Sequence, residues 1–144
     1  MFKKILIPVD VDDEHTWSKA AGVAAHLAKS SGAEIHVLSV LPDFGLSIVG
    51  SYFPKGYEEK AAQEAGKQLT KFVNEHFEEG LNVRPHVVHG KIYEQIMAAA
   101  DKLGCDAIIM ASHSPQLKDY LLGPNAARVV RHARQSVFVV RDEG

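Results

Sequence analysis

The chain has little of what marks several common classes of protein. Its 144 residues include one cysteine, so it can form neither an intrachain disulfide nor a cysteine metal cluster. The formal net charge of -2 and the pI near 6.4 provide no basic field for nucleic acid. No apolar run approaches the length of a transmembrane span. We therefore expect a cytoplasmic protein that binds neither nucleic acid nor membrane, with its thiol in a reducing compartment.

The amino-terminal segment has one feature of a secretion signal. Lys3 and Lys4 precede an apolar run, but Pro8 and Asp10 interrupt that run and further acidic residues follow. The uninterrupted run is too short for the centre of a signal peptide. We interpret it as the first strand of a globular unit, and the chain length predicts a single domain over residues 1–144.

Short β-rich apolar runs alternate with amphipathic helical stretches. Strands are predicted at about residues 2–9, 34–41, 83–89, 107–112 and 137–140. Helices are predicted at about residues 13–30, 54–79, 91–103 and 123–133. The apolar stripes of these helices place Trp17, Phe77, Ile92 and Leu103 among the residues that face the sheet. The alternation predicts an α/β domain: a doubly wound five-stranded parallel sheet with helices on both faces.

The carboxyl ends of the strands are where such a sheet binds ligands. The loops after Val9, Val40 and Ser112 are expected to meet there, at the switch in strand order. The small residues that follow the fourth strand face the start of the last helix at Gly123. Because a helix amino terminus attracts anions, this juxtaposition predicts a phosphate or nucleotide site.

The chain resembles the universal stress protein family over essentially its whole length. The resemblance rests on Lys4-Ile5-Leu6-Ile7-Pro8-Val9-Asp10, His36-Val37-Leu38-Ser39-Val40, Gly90, Asp106-Ala107-Ile108-Ile109-Met110, Leu121-Leu122-Gly123 and Ser136-Val137-Phe138-Val139-Val140. Two stretches, Ala111-Ser112-His113 with Pro115 and Leu121-Leu122-Gly123 with Asn125-Ala126-Ala127, resemble the F/G-type branch.

This resemblance implies an adenine nucleotide alpha-hydrolase-like fold with strand order 3-2-1-4-5. It also implies a stress-response sensor or regulator that binds ATP, with or without Mg²⁺, as a homodimer joined through residues 136–141. The implied nucleotide-binding residues are Pro8, Val9, Asp10, Val40, Met110, Ala111, Ser112, His113, Ser114, Gly123, Pro124, Asn125 and Ala126.

The chain departs from the ATP-binding pattern of that family, which is glycine, two residues, glycine, nine residues, glycine and then serine or threonine. Ala111 and Ser114 replace the first two glycines, and eight residues separate Ser114 from Gly123. Pro124 replaces the hydroxyl residue and has no backbone N–H. The alternative is that Pro124 serves only as a favourable first residue of the helix.

Several candidate residues have a second interpretation. Asp10 can accept a hydrogen bond from adenine or ribose, or can be a turn residue or the N-cap of the helix that follows. His113 can contact ribose or phosphate, or be solvated. Lys91 can reach a phosphate, but an exposed lysine is the ordinary case. The apolar connection Phe44–Pro54 is either a lid or a surface for a protein partner.

Enzymatic activity has little support in the sequence. The chain has no Walker A sequence and no G-x-S-x-G elbow, and Cys105 precedes a buried strand without an evident partner. At most we expect a slow ATPase without a catalytic residue set, and no metal ligands. Two functions remain open: an ATP-binding stress regulator, and a protein-interaction module of the same fold that binds no nucleotide.

Overall fold

The computed structural model describes residues 1–41, 56–112 and 124–141, apart from the side chains of residues 57 and 58. The regular elements, in chain order, are β1 (Lys4–Pro8), one 3-10 turn (Glu14–Thr16), α1 (Ser18–Ser31), β2 (Glu34–Leu41), α2 (Tyr57–His76), β3 (Val83–His89), α3 (Ile92–Leu103), β4 (Ala107–Ala111), α4 (Pro124–His132) and β5 (Ser136–Val140). Within the described ranges, no helix has the length and apolar character needed to cross a bilayer.

The five strands form one parallel sheet in the order β3-β2-β1-β4-β5. This order confirms the predicted doubly wound sheet. In the centre of the sheet, Leu6 of β1 lies opposite His36 of β2 and Ile108 of β4. The order of the strands switches between β1 and β4, because β2 and β3 lie on one side of β1 whereas β4 and β5 lie on the other. The carboxyl ends of β1 and β4 therefore form the crevice where doubly wound sheets bind ligands.

Alternating side chains of the central strands build two separate cores. Ile5 and Ile7 of β1 pack with α1 and α2 on one face of the sheet. Leu6 of β1 and Ile108 of β4 pack with α3 and α4 on the other face. All four side chains are fully buried, as expected for strands covered on both faces.

A carboxylate joins the starts of β1 and β4. Asp106 accepts hydrogen bonds from the backbone N–H groups of Lys3, at 2.9 Å, and Lys4, at 3.1 Å. The backbone N–H of Asp106 in turn donates to the carbonyl of Lys4, at 2.9 Å. This exchange sets the relative position of the two strands that flank the crevice.

The predicted helix over residues 13–30 is wrong in its first turn. A 3-10 turn at Glu14–Thr16 precedes α1, and Trp17 between them has φ -135° and ψ -19°. The hydroxyl of Thr16 donates to the carbonyl of Asp13, at 2.7 Å, which closes this turn separately from the helix. The predicted stop is confirmed, because Gly32 ends α1 in the left-handed conformation with φ 73°.

Two residues of the predicted helical stripes lie elsewhere. The second helix ends at His76, and Phe77 is extended with φ -119° and ψ 139°, although its side chain is still buried. Ile92 was expected to face the sheet, but 46% of its surface is exposed. Ile92 is the first residue of α3 and lines the crevice.

The predicted strand ends are accurate to within two residues. β2 and β3 have the predicted bounds, whereas β1 is shorter at both ends and β5 begins one residue earlier, at Ser136. β4 ends at Ala111, but the N–H of Ser112 still donates to the carbonyl of Val140, at 2.8 Å. Ser112 is therefore held against β5 at the edge of the crevice.

Candidate functional site

A cavity of about 490 Å³ lies at the carboxyl ends of β1, β2 and β4. It is lined by every predicted site residue that falls in the described part of the chain: Pro8, Val9, Asp10, Val40, Met110, Ala111, Ser112, Pro124, Asn125 and Ala126. The remaining predicted residues, His113, Ser114 and Gly123, lie outside the described residues, as does the Phe44–Pro54 connection.

Asp10 belongs to a closed acidic turn between β1 and α1. Its Oδ1 accepts from the backbone N–H of Asp12, at 3.1 Å, and its own N–H donates to Thr16 Oγ1, at 2.9 Å. Asp13, and not Asp10, caps the 3-10 turn, since its side chain accepts from the N–H of His15. The turn interpretation of Asp10 is thus correct and the cap interpretation is wrong.

The inner wall of the cavity is apolar. Val9 and Met110 are each 6% exposed, and Leu38 of β2 is fully buried. Val40 is half-buried at the end of β2. These side chains come from three adjacent strands, so the sheet itself holds them in place. A flat apolar ligand of limited width matches such a wall better than a highly charged one.

The amino terminus of α4 forms another side of the cavity. Pro124 is the first helical residue, followed by half-buried Asn125 and by Ala126, which is 4% exposed. The first N–H groups of a helix have no partner within it, and Pro124 has no N–H. The N–H groups of Asn125 and Ala126, with the Asn125 amide, are the donors that this terminus offers.

Several lining residues were not predicted from the sequence. They include Thr16 before α1, Ala65 and Gln68 of α2, and Ile92 of α3. Ala65 was visible only as one position of an apolar stripe, and nothing local distinguishes Gln68 from other exposed polar residues. Lys91, considered as a phosphate ligand, precedes α3 as its cap residue and is absent from the described lining.

The described residues offer neither a metal centre nor a reactive thiol. Among them, no group of three or more histidine, cysteine or acidic side chains is arranged to hold a metal ion. Burial raises the pKa of the Cys105 thiol to about 11, so this cysteine is protonated at neutral pH and is a poor nucleophile. Cys105 precedes β4 at the end of the sheet opposite to the cavity.

The sequence matches one protein family over nearly its whole length. The model of the universal stress protein family matches residues 1–141. Universal stress protein G of Shigella flexneri is 33% identical over 143 residues, which is 98% of this chain and 100% of that protein.

Solved structures share the fold. The structure of protein MJ0577, a universal stress protein of Methanocaldococcus jannaschii, superposes with a TM-score of 0.75 at 28% identity and covers 100% of this chain and 99% of that one. The universal stress protein of Archaeoglobus fulgidus in complex with dAMP superposes with a TM-score of 0.64 at 18% identity, covering 96% and 97% of the two chains. The fold is the adenine nucleotide alpha-hydrolase-like fold. With this architecture and a family match over residues 1–141, the chain belongs to the universal stress protein family.

Proposed function

We propose that the cavity at the carboxyl ends of β1, β2 and β4 binds an adenine nucleotide, and that the protein acts as a dimeric cytoplasmic stress-response sensor or regulator. The observation that carries this proposal is that ten predicted site residues, from distant parts of the chain, line one cavity. Its volume of about 490 Å³ lies in the ~300–1,000 Å³ range of small-molecule sites.

The composition of the walls supports a nucleotide with a defined orientation. Val9, Val40 and Met110 provide apolar contact for a flat base. Asp10 is exposed in the same cavity and offers a carboxylate acceptor for an amino or hydroxyl group. The amino terminus of α4 offers N–H donors to phosphate. In the proposed orientation, the base lies against the strands and the acidic turn, and the phosphate lies against α4.

ATP is the nucleotide that the family resemblance implies. The cavity has no described set of metal ligands, so Mg²⁺ would arrive coordinated by the phosphate oxygens, as is usual for this ion. Its role would be to neutralise the charge of the phosphates. The described lining contains no basic side chain that could stabilise a transferring phosphoryl group. This composition supports a regulator with at most a slow ATPase activity.

The decisive experiment is calorimetric titration with Mg-ATP of the wild type and of Asn125→Asp. The new carboxylate stands in the first turn of α4, where an acid stabilises the helix but repels phosphate. We expect saturable binding of Mg-ATP to the wild type. The affinity of the variant is expected to be lower by roughly tenfold or more, which corresponds to the loss of one charge-assisted contact.

The matched control is Asn74→Asp, the same chemical change at an exposed position of α2 outside the cavity lining. This control is expected to bind like the wild type. Absence of any heat with wild-type protein that is folded by circular dichroism would contradict the proposal. It would favour the second function, a protein-interaction module of the same fold.

The second function has one specific structural basis, the loss of a donor at Pro124, which weakens the phosphate end of the cavity. In either case we propose a homodimer joined along β5, the edge strand opposite β3. Sedimentation of the wild type and of Val139→Lys tests this assembly. A lysine in the edge strand is expected to produce monomers, and a monomeric wild type would contradict the dimer.

A further inference from the structure

Gln68 of α2 lines the cavity from the face of the sheet opposite to α4. α2 packs on the sheet through Leu69, which belongs to the same core as Val9 of β1. Ala126 of α4 belongs to the core on the other face. Gln68 is exposed and lines the cavity beside this packing contact. Because the proposed phosphate position is at α4, Gln68 stands across the sheet from the phosphate, on the side of the base.

Two residues of α2 belong to the described lining, Ala65 and Gln68. They are three positions apart, so they are neighbours on one stripe of the helix surface. Leu69, the residue after Gln68, is fully buried and holds this part of the helix against the sheet. Ala65 has only a methyl group, whereas Gln68 carries an amide. Of these two residues, Gln68 is therefore the one that can form hydrogen bonds with a ligand.

The side chains of the acidic turn, Asp10–Asp13, cannot satisfy both kinds of polar group on adenine. Adenine presents a 6-amino group, which donates, beside the ring nitrogen N7, which only accepts. Ionised carboxylates only accept hydrogen bonds. The hydroxyl of Thr16 donates to the carbonyl of Asp13, at 2.7 Å, so its proton is already used within the protein. A ring nitrogen at this end of the cavity therefore needs a donor from another element.

The amide of Gln68 provides both a donor and an acceptor. Its oxygen and nitrogen lie in one plane, the arrangement with which glutamine forms two hydrogen bonds to the 6-amino group and N7 of adenine. Within the part of the chain that the structure describes, this amide has no hydrogen-bond partner. Ser39 of β2 also lines the cavity, but its single hydroxyl cannot form such a planar pair.

We propose, on the basis of the proposed adenine nucleotide site, that Gln68 is a specificity-determining residue whose amide accepts a hydrogen bond from the 6-amino group of adenine and donates one to N7. The edge of the base is then recognised from α2, while the apolar side chains of the strands contact its ring. A purine that lacks the 6-amino group loses the hydrogen bond to the amide oxygen and binds more weakly.

Calorimetric titration of the wild type and of Gln68→Ala with two ligands tests the inference. The ligands are AMP and purine riboside 5′-monophosphate, which differ only in the 6-amino group. We expect the wild type to bind AMP about two- to tenfold more tightly than the second ligand. Gln68→Ala is expected to lower the affinity for AMP by about fivefold or more and to bring the ratio of the two affinities towards one.

The ratio isolates recognition of the base. Both ligands carry the same ribose and phosphate, so an altered contact at α4 changes both affinities together. Alanine has the highest helix propensity, so the variant is expected to keep α2 intact. The matched control is Gln63→Ala, the same change at an exposed position of α2 outside the described lining. It is expected to keep the wild-type affinity for AMP and the wild-type ratio.

The possible failures are distinct from one another. Wild-type affinity for AMP in Gln68→Ala overturns the inference and leaves the adenine nucleotide site standing. A lower affinity for AMP with an unchanged ratio also overturns it, because such a loss reflects the shape of the cavity and not recognition of the amino group. Binding of neither ligand to the folded wild type overturns both the proposed function and this inference.

Discussion

His36 and His86 form a pair on neighbouring strands, with Nδ1 of His36 2.8 Å from Nε2 of His86. Their rings are stacked, with centroids 5.0 Å apart and planes 27° from parallel. His36 is only 4% exposed, and its Nε2 lies 3.6 Å from Glu34 Oε2. Arg84 contacts the same carboxylate at 3.5 Å.

This pair is suited to the neutral state. Two ring nitrogens at hydrogen-bond distance require one donor and one acceptor, which two imidazolium rings cannot provide. Burial lowers the pKa of His36, against the opposing effect of Glu34. Burial, with the neighbouring His36 and Arg84, lowers the pKa of His86. Both histidines therefore bind protons more weakly in the folded chain than in the unfolded chain.

The first prediction concerns the pH dependence of stability. Because both folded-state pKa values are lowered, the unfolded chain binds more protons below the unfolded pKa of about 6.5, and the free energy of unfolding falls as pH falls through that region. Urea unfolding at about pH 7.5, 6.5 and 5.5 measures the slope. His86→Gln is expected to flatten it.

The control for this prediction is His26→Gln, at an exposed histidine of α1 outside the pair. It is expected to keep the wild-type slope. A slope in His86→Gln equal to that of the wild type would show that the pair does not couple folding to protonation.

The second prediction concerns the connection between β1 and β4. Asp106→Asn replaces a carboxylate that accepts from two backbone N–H groups, those of Lys3 and Lys4, and brings amide hydrogens towards them. We expect a loss of about 1–3 kcal/mol in the free energy of unfolding, measured in urea. Asp101→Asn, at an exposed carboxylate bonded to the surface residues Arg134 and Gln135, is the comparison and is expected to cost less.

The third prediction uses two adjacent valines of α4. Val129 is fully buried, whereas Val130 is 45% exposed. Val129→Ala is expected to cost about 1–3 kcal/mol through lost burial and the cavity left behind, and Val130→Ala to change stability by less than about 0.5 kcal/mol. Equal effects in thermal or urea unfolding would contradict the assigned inner face of α4.

The fourth prediction is a gain of function. Pro124→Ser restores a backbone N–H and adds a hydroxyl at the first residue of α4, where the family pattern has serine or threonine. Since each neutral donor contributes about 0.5–1.5 kcal/mol, the two added donors are expected to raise the affinity for Mg-ATP by about 5- to 150-fold. Affinity for adenosine, which lacks phosphate, serves as the control and is expected to stay unchanged; a parallel rise in both would contradict a phosphate contact at this helix.

The fifth prediction tests Thr16 as a positioning residue. Thr16→Val removes the hydroxyl that accepts from the N–H of Asp10 and donates to the carbonyl of Asp13. The turn is expected to loosen, which displaces the Asp10 carboxylate and weakens adenosine binding. Thr16→Ser keeps the hydroxyl and is expected to bind adenosine like the wild type. Equal behaviour of the valine and serine variants would leave Thr16 without this role.

Most of the fold could be predicted from the sequence because the three central strands, β2, β1 and β4, are largely buried. Strands that are covered on both faces appear as apolar runs, and β2 has the predicted bounds. Helix ends were less predictable. Trp17 and Phe77 fit an apolar helical stripe, yet a turn closed by Thr16 and the end of α2 at His76 place them outside the regular helices.

The sequence by itself determined the alternation of strands and helices, and its resemblance to the universal stress protein family identified ten residues of the described cavity lining. The alternation predicted where the site lies, because parallel strands bring their carboxyl ends to a single edge of the sheet. Only the tertiary structure decided which distant side chains meet there. Gln68 reaches the cavity from α2, and Thr16 bonds back to Asp10. The contact between His36 and His86 depends on the register of β2 against β3, which no local pattern encodes.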